Sequence, residues 1–341
     1  MRYYIGTYTR DTSSEGIYCL ELAEDLSGYD LKLAATADNP SWLISHPGLP
    51  VVYAVNEVGD FENGGAVTVF DIDVGGRLRE VQQVPTHGAD PCHLRFDAGG
   101  RLLICTNYSS GSITTFMVDA DGGLGRTNVI QHRGEGPDPV RQGSAHTHSS
   151  LVIGNRVHVA DLGSDSISVY EIREGELLPD PVQVVSLPPG AGPRHMVVSP
   201  GSGRVFCICE LDNTIVTMAV DAKGRLVPAG RASTLPDEFS GRSFTAEIAI
   251  SADGQYVYGS NRGHDSIAVL AAGMEGELKQ VQIHPTGGSH PRHFLLDEEI
   301  LIVANRDSHN LVVFRRNAQS GVLEDTGFVI EMPAPVCVLQ I

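Results

Sequence analysis

The sequence predicts an all-β fold, a seven-bladed β-propeller of four-stranded antiparallel blades, and three observations carry that prediction. Gly (38) and Pro (19) are frequent among the 341 residues, and the apolar stretches between them are short and β-branched, as in many strands joined by turns. A unit of four successive strands recurs at intervals of about 45 to 55 residues, the length of a propeller blade. The two ends of the chain are complementary fragments of that unit. No stretch sustains a helical period.

Each unit opens on a short strand, often begun by proline: PSWLIS from Pro40, PCHLRF from Pro91, HTHSSL from His146, PRHMVV from Pro193, TAEIAI from Thr245 and PRHFLL from Pro291. A second strand follows and ends in a polar residue, as in VYAVNE, LICTNY, VHVADL, VFCICEL, VYGSNR and LIVANR. A turn leads to the third strand (VTVFDI, ITTFMV, ISVYEI, IVTMAV, IAVLAA, LVVFRR) and then to a looser fourth. The tail PVCVLQI, from Pro335, is a first strand with nothing after it, whereas the head supplies a second (YYIGTYT), a third (GIYCLEL) and a fourth (YDLKLAA) without a first. Pairing residues 335–341 with the N-terminal strands completes the seventh blade and removes open sheet edges. Residues 1–341 read as a single propeller domain.

Hydrophobic residues make up 41% of the chain, enough to bury a sizeable core. A formal net charge of −18 argues against broad contact with nucleic acid or an anionic membrane, and makes any local cluster of arginine informative. The opening MRYYIGTYT has neither the basic nor the apolar region of a secretory leader, and no run approaches the roughly 20 apolar residues of a membrane span. The six cysteines (Cys19, Cys92, Cys105, Cys207, Cys209, Cys337) form no CxxC pair and sit mostly in apolar strands, so reduced thiols and a cytoplasmic location are expected.

In a propeller the first strand of each blade lies innermost. Its third residue in successive units is Trp42, His93, His148, His195, Glu247, His293 and Cys337, which places four of the chain's 13 histidines at one repeat position. The preceding position supplies Arg194 and Arg292, although pleating sends adjacent side chains to opposite faces. Second strands end in Asn56, Asn107, Asp161, Glu210, Asn261 and Asn305, with Thr7 at the same place in the closing blade; Arg262 and Arg306 follow two of these. Asparagine there suits a local turn cap; Glu210 and Arg262 are not turn formers. His146 and His148 alternate on one strand, which suits metal ligation, but zinc needs three or four converging ligands and the other candidates come from different blades around a pore, so no metal or other cofactor is expected. Imidazoles beside a carboxylate suit acid–base chemistry, and arginines suit a carboxylate or phosphate. There is no GxSxG elbow, P-loop or GxGxxG. A small anionic molecule, acted on through water or an internal proton transfer, is the expected partner.

The stretches RQGSAHTHS (Arg141 to Ser149), VADLGSDSISVY from Val159, GPRHMVVSP from Gly192, the strand ending in Glu210-Leu211, AEIAIS from Ala246, SNRGHDSIAV from Ser260, and PRHF followed by LIVANRDSHNLVVF resemble the seven-bladed lactonase family of cytoplasmic propellers. The resemblance runs from YIGTYT to the closing PVCV. That family spans 6-phosphogluconolactonases and a carboxy-cis,cis-muconate cyclase. It implies a catalytic set of one histidine, two arginines and a glutamate, which by motif fall on His148, Arg194, Glu210 and Arg262. One departure is Ala145, where the family has proline before the first histidine of HxH. The implied reaction is hydrolysis of a sugar-acid lactone, 6-phosphogluconolactone by default. Arg194 and Arg262 would hold phosphate or oxyanion, and Glu210 or His148 would activate water. His93, His146, His195, Glu247, Arg292, His293 and Asn305 would line the substrate. The alternatives are an intramolecular lyase acting on a muconate-like dicarboxylate, and a non-catalytic propeller that binds ligands or proteins through its loops.

Overall fold

The computed structural model describes residues 1–59, 64–273 and 275–341. The described residues contain no helix and form seven antiparallel sheets. They divide into two compact units, residues 1–184 with 336–341 and residues 185–335.

In the first unit, the C-terminal strand Pro335–Gln340 pairs with β1 (Arg2–Thr7), which continues through β2 (Gly16–Leu22) to β3 (Tyr29–Thr36). The tail thus supplies the strand that the head lacks, and Ile341 N–H donates to Arg2 O at 3.1 Å. The next blade runs β4 (Leu43–Ser45), β5 (Val51–Asn56), β6 (Ala66–Ile72) and β7 (Leu78–Pro85). It is followed by β8 (Pro91–Phe96), β9 (Leu102–Asn107), β10 (Ser112–Val118) and β11 (Leu124–Gln131). The last begins β12 (Thr147–Ile153), β13 (Arg156–Asp161) and β14 (Ser166–Arg173), after which β15 (Glu176–Leu177) and β16 (Gln183–Ser186) both pair with β14. Pro179 and Pro181 lie between these two pieces, and proline has no N–H to offer a ladder, so the outer strand is broken there.

The second unit holds three blades: β17 (Pro193–Val198) to β18 (Val205–Cys209), β19 (Thr214–Val220) and β20 (Leu226–Ser233); β21 (Phe244–Ile250) to β22 (Tyr256–Arg262), β23 (Ser266–Ala272) and β24 (Leu278–Pro285); and β25 (Pro291–Leu296) to β26 (Ile300–Asn305), β27 (Asn310–Arg316) and β28 (Leu323–Glu331). Middle strands are buried on both faces, so their sequences are continuously apolar rather than alternating. Phe206, Ile208 and Ile215 pack on Ile248, Val257, Ala268 and Leu270, and Tyr258, Ile267 and Val269 on Phe294, Val303 and Phe314. Each fully buried large apolar side chain contributes about 1.5–3 kcal/mol.

The inner strands share a feature that positions the site. Register jumps between Pro91 and His93 in β8, Thr147 and Ser149 in β12, Pro193 and His195 in β17, Thr245 and Ile248 in β21, and Pro291 and His293 in β25. Each is a bulge in which two residues oppose one, and a bulge re-aims side chains that pleating would otherwise separate. This corrects the repeat alignment twice. His148 shares its place with Cys92, Arg194 and Arg292, and Ser149 is the counterpart of His93, His195 and His293. Likewise Cys209, paired with Thr214, matches Asn261 paired with Ser266 and Asn305 paired with Asn310. Glu210 therefore lies one residue beyond the strand end, at the place of Arg262 and Arg306.

Candidate active site

In the second unit the β17 bulge sends Arg194 to the loop-side end of its neighbours. Arg194 Nε donates to Glu210 Oε2 at 3.1 Å, and its Nη1 to Ala246 O, inside the β21 bulge, at 2.7 Å. Arg262 Nη2 lies 2.8 Å from the same Glu210 oxygen and 2.7 Å from Thr245 O, which accepts from it, while Nε donates to Phe244 O at 3.3 Å. Two guanidiniums thus converge on one carboxylate oxygen. Arg194 is 2% exposed, Glu210 3% and Arg262 9%. Burial, then the charges of Arg262 and Arg292, pull Arg194 down to about 10, so it stays charged at neutral pH.

The next residue along each bulge builds a second cluster. His195 Nδ1 is 3.1 Å from both oxygens of Glu247, and His293 Nε2 is 3.4 Å from Glu247 Oε2. Ile248 N–H donates to Glu247 Oε1 at 3.0 Å, and Glu247 N–H to Ser260 Oγ at 3.0 Å. All three side chains are buried. Burial and Arg194 hold His195 well below the usual imidazole range, and burial takes His293 to about 4. Burial also raises Glu247, against the lowering effect of His293 and Arg194. Two neutral imidazoles flanking a carboxylate donate to it, which places the proton on Nδ1 of His195 and on Nε2 of His293 and makes the opposite ring nitrogens the basic ones.

Arg292, in the β25 bulge, acts electrostatically on Arg194, His195, Glu247 and His293. Asn305 is enclosed and donates through Nδ2 to Thr286 O at 3.1 Å, as Asn261 does to Thr234 O at 2.9 Å. It braces a strand end, the role expected of the other asparagines. The second unit therefore brings together Arg194, His195, Glu210, Glu247, Arg262, Arg292 and His293.

The remaining predicted residues belong to the first unit. His148 is buried; its carbonyl accepts from Thr106 Oγ1 at 3.0 Å and from Cys92 Sγ at 3.2 Å, and its ring meets Tyr108 edge-on at 5.5 Å. His146 stacks on Tyr108 at 4.7 Å, with Nδ1 3.0 Å from Tyr108 O. His93 packs against Trp42 at 4.4 Å, and its Nδ1 accepts from Ser150 N–H at 3.4 Å. Sequence reasoning missed a buried chain behind these residues: Tyr170 OH is 2.8 Å from His132 Nε2, and His132 Nδ1 is 3.0 Å from Asp161 Oδ2. Asp161 Oδ1 in turn accepts the N–H groups of His146, Gly163 and Ser164. Burial works to raise Asp161, but His132 and these donors outweigh it and leave the carboxyl below its usual range. Asp161 was visible as a strand-end acid; its histidine partner comes from a loop with no repeat signal.

Residues 2–340 match the family model described as Lactonase, 7-bladed beta-propeller. The chain is 33% identical over 344 aligned residues to a 6-phosphogluconolactonase of Bacillus subtilis, an alignment covering 98% of this chain and 97% of that protein. Among solved structures it is similar to a putative 6-phosphogluconolactonase from Bacteroides fragilis (TM-score 0.91, 31% identity, 99% of this chain and 96% of the other). It is equally similar to a periplasmic gluconolactonase of Pseudomonas aeruginosa (TM-score 0.91, 30% identity, 99% and 98%).

Proposed function

Because the chain belongs to the lactonase family of seven-bladed β-propellers, we propose that it opens a sugar-acid lactone by adding water, with 6-phosphogluconolactone the substrate and 6-phosphogluconate the product. The observation that carries this reading is the convergence of Arg194 and Arg262 on Glu210 Oε2, at 3.1 and 2.8 Å. In the proposed reaction a water oxygen attacks the lactone carbonyl carbon and Glu210 takes the water's proton. The carbonyl oxygen becomes an oxyanion held by the guanidiniums. As that intermediate collapses, the ring carbon–oxygen bond breaks, and the departing alkoxide recovers the proton from Glu210.

Magnitudes assign the larger share to the arginines. Glu210 Oε2 already accepts from two cations, and preorganised donors aimed at a developing oxyanion are worth about 100- to 1,000-fold each. Low exposure strengthens the effect, since the guanidiniums act through little water. The basic ring nitrogens of His195 and His293, held by Glu247, orient the substrate's hydroxyls. A 33% identical protein named 6-phosphogluconolactonase and a 31% identical one named putative 6-phosphogluconolactonase support this substrate choice.

The test is lactone opening followed by acid release with a pH indicator, after subtraction of the spontaneous rate. Glu210→Gln is expected to lower kcat about 100-fold or more. A Glu210→Gln protein as fast as wild type would remove the mechanism.

A further inference from the structure

We infer that Arg306, His290 and Arg292 form an anion subsite that takes the phosphate of a phosphorylated lactone. This rests on the lactone reading above and adds the residues that select the phosphorylated lactone. The repeat places these groups together. Arg306 follows Asn305 as Arg262 follows Asn261, and Arg292 occupies the β25 bulge as Arg194 occupies the β17 bulge. β25 packs against β21 and β22, and the charge of Arg262 acts on His290.

His290 is fixed at the centre of this corner. It adopts a left-handed backbone (φ 61°), rare outside glycine, with its N–H donating to Asp265 Oδ1 at 2.8 Å and its carbonyl accepting from Arg306 N–H at 3.1 Å. Its Nδ1 lies 3.5 Å from Arg306 Nη2 and 3.4 Å from Asp307 Oδ2, and Arg306 Nε donates to Asp307 Oδ1 at 2.6 Å. Its Nε2 is buried and has no hydrogen-bond partner. A buried ring nitrogen without a partner is costly unless a ligand completes it. Burial first, then the charges of Arg262 and Arg306, hold the His290 imidazole to about 3, which keeps it neutral. When Nδ1 accepts from Arg306, the proton sits on Nε2, which becomes a donor. A tetrahedral dianion can accept from that N–H and from the Arg306 guanidinium through separate oxygens.

The experiment compares kcat/KM for 6-phosphogluconolactone with that for the unphosphorylated glucono-lactone, in wild type, Arg306→Gln and Arg306→Lys, alongside calorimetric titration of each protein with inorganic phosphate. In Arg306→Gln the preference for the phosphorylated substrate is expected to fall about 10- to 100-fold and phosphate binding to weaken in parallel, the effect of losing a charge-assisted fork. Arg306→Lys, which keeps the charge without the fork, is expected to fall between the two and also controls for folding. An unchanged substrate preference in Arg306→Gln overturns the subsite while lactone hydrolysis stands. If wild type opens neither lactone, the lactone reading fails and the titration alone decides: equal phosphate affinity in wild type and Arg306→Gln, or no binding by wild type, overturns the subsite as well.

Discussion

Glu210→Gln and Arg194→Gln break the same contact, yet they should differ in stability. Removing the Glu210 charge leaves Arg194 and Arg262, 2% and 9% exposed, without the carboxylate between them. Stranding buried charge in this way costs about 3–5 kcal/mol. Removing Arg194 instead forfeits its bonds to Glu210 and Ala246 O, about 1–3 kcal/mol. It leaves Arg262 on Glu210 at 2.8 Å and relieves the repulsion that Arg262 and Arg292 exert on Arg194. Glu210→Gln is therefore expected to be the less stable variant by about 2 kcal/mol, roughly 30-fold in the folding equilibrium. The double variant should be more stable than the sum of the singles implies, because each change removes part of what makes the other costly. Urea unfolding followed by circular dichroism measures all three. Arg194→Gln proving the less stable single variant would refute the charge accounting.

Two further outcomes are expected. His158 is buried on β13, and burial lowers its imidazole to about 4 from 6.5. The unfolded chain then binds more protons than the native one between those values, so the associated stability is present above about pH 6.5 and lost as pH falls to about 4, on the order of 3 kcal/mol. Unfolding free energies across that range should lose this slope in His158→Gln; an identical acid profile would dismiss His158 as its source. Truncation before Pro335 leaves the ladder edge of β1 unpaired, and the shortened chain is expected to aggregate or unfold at lower temperature. A truncated protein that elutes as wild type by size exclusion and melts at the same temperature would contradict that expectation.

Strand positions were most legible where proline marks a start. Pro91–Phe96, Pro193–Val198 and Pro291–Leu296 coincide with the predicted runs, because proline fixes the first residue and the apolar pattern fixes the rest. The run from Pro40 yields only Leu43–Ser45. The bulges left no trace in composition or periodicity, since one extra residue changes neither. His148 and Glu210 shift by one place in the repeat alignment because one strand begins at Thr147 rather than His146 and another ends at Cys209 rather than Glu210; the bulges explain how Arg194 and His195, adjacent in sequence, reach Glu210 and Glu247 respectively. Motif resemblance found Arg194, Glu210 and Arg262 individually; that both arginines meet on one oxygen is a matter of strand ends brought together by the fold. Arg306 followed Asn305 as Arg262 follows Asn261, a signal present in the sequence that the choice of site residues passed over. His290 left none, because what sets it apart is an unpartnered nitrogen.

The pairing of Pro335–Gln340 with β1 also sets a timetable. At about 5–20 residues per second of synthesis, residues 335–340 emerge roughly 20 to 70 s after β1. For that interval the nascent chain carries β1–β3 with the ribosome-proximal partner of β1 not yet made. The blade that holds β1 is begun long before it can be finished, and until then the ladder edge of β1 stays open to pairing with another strand.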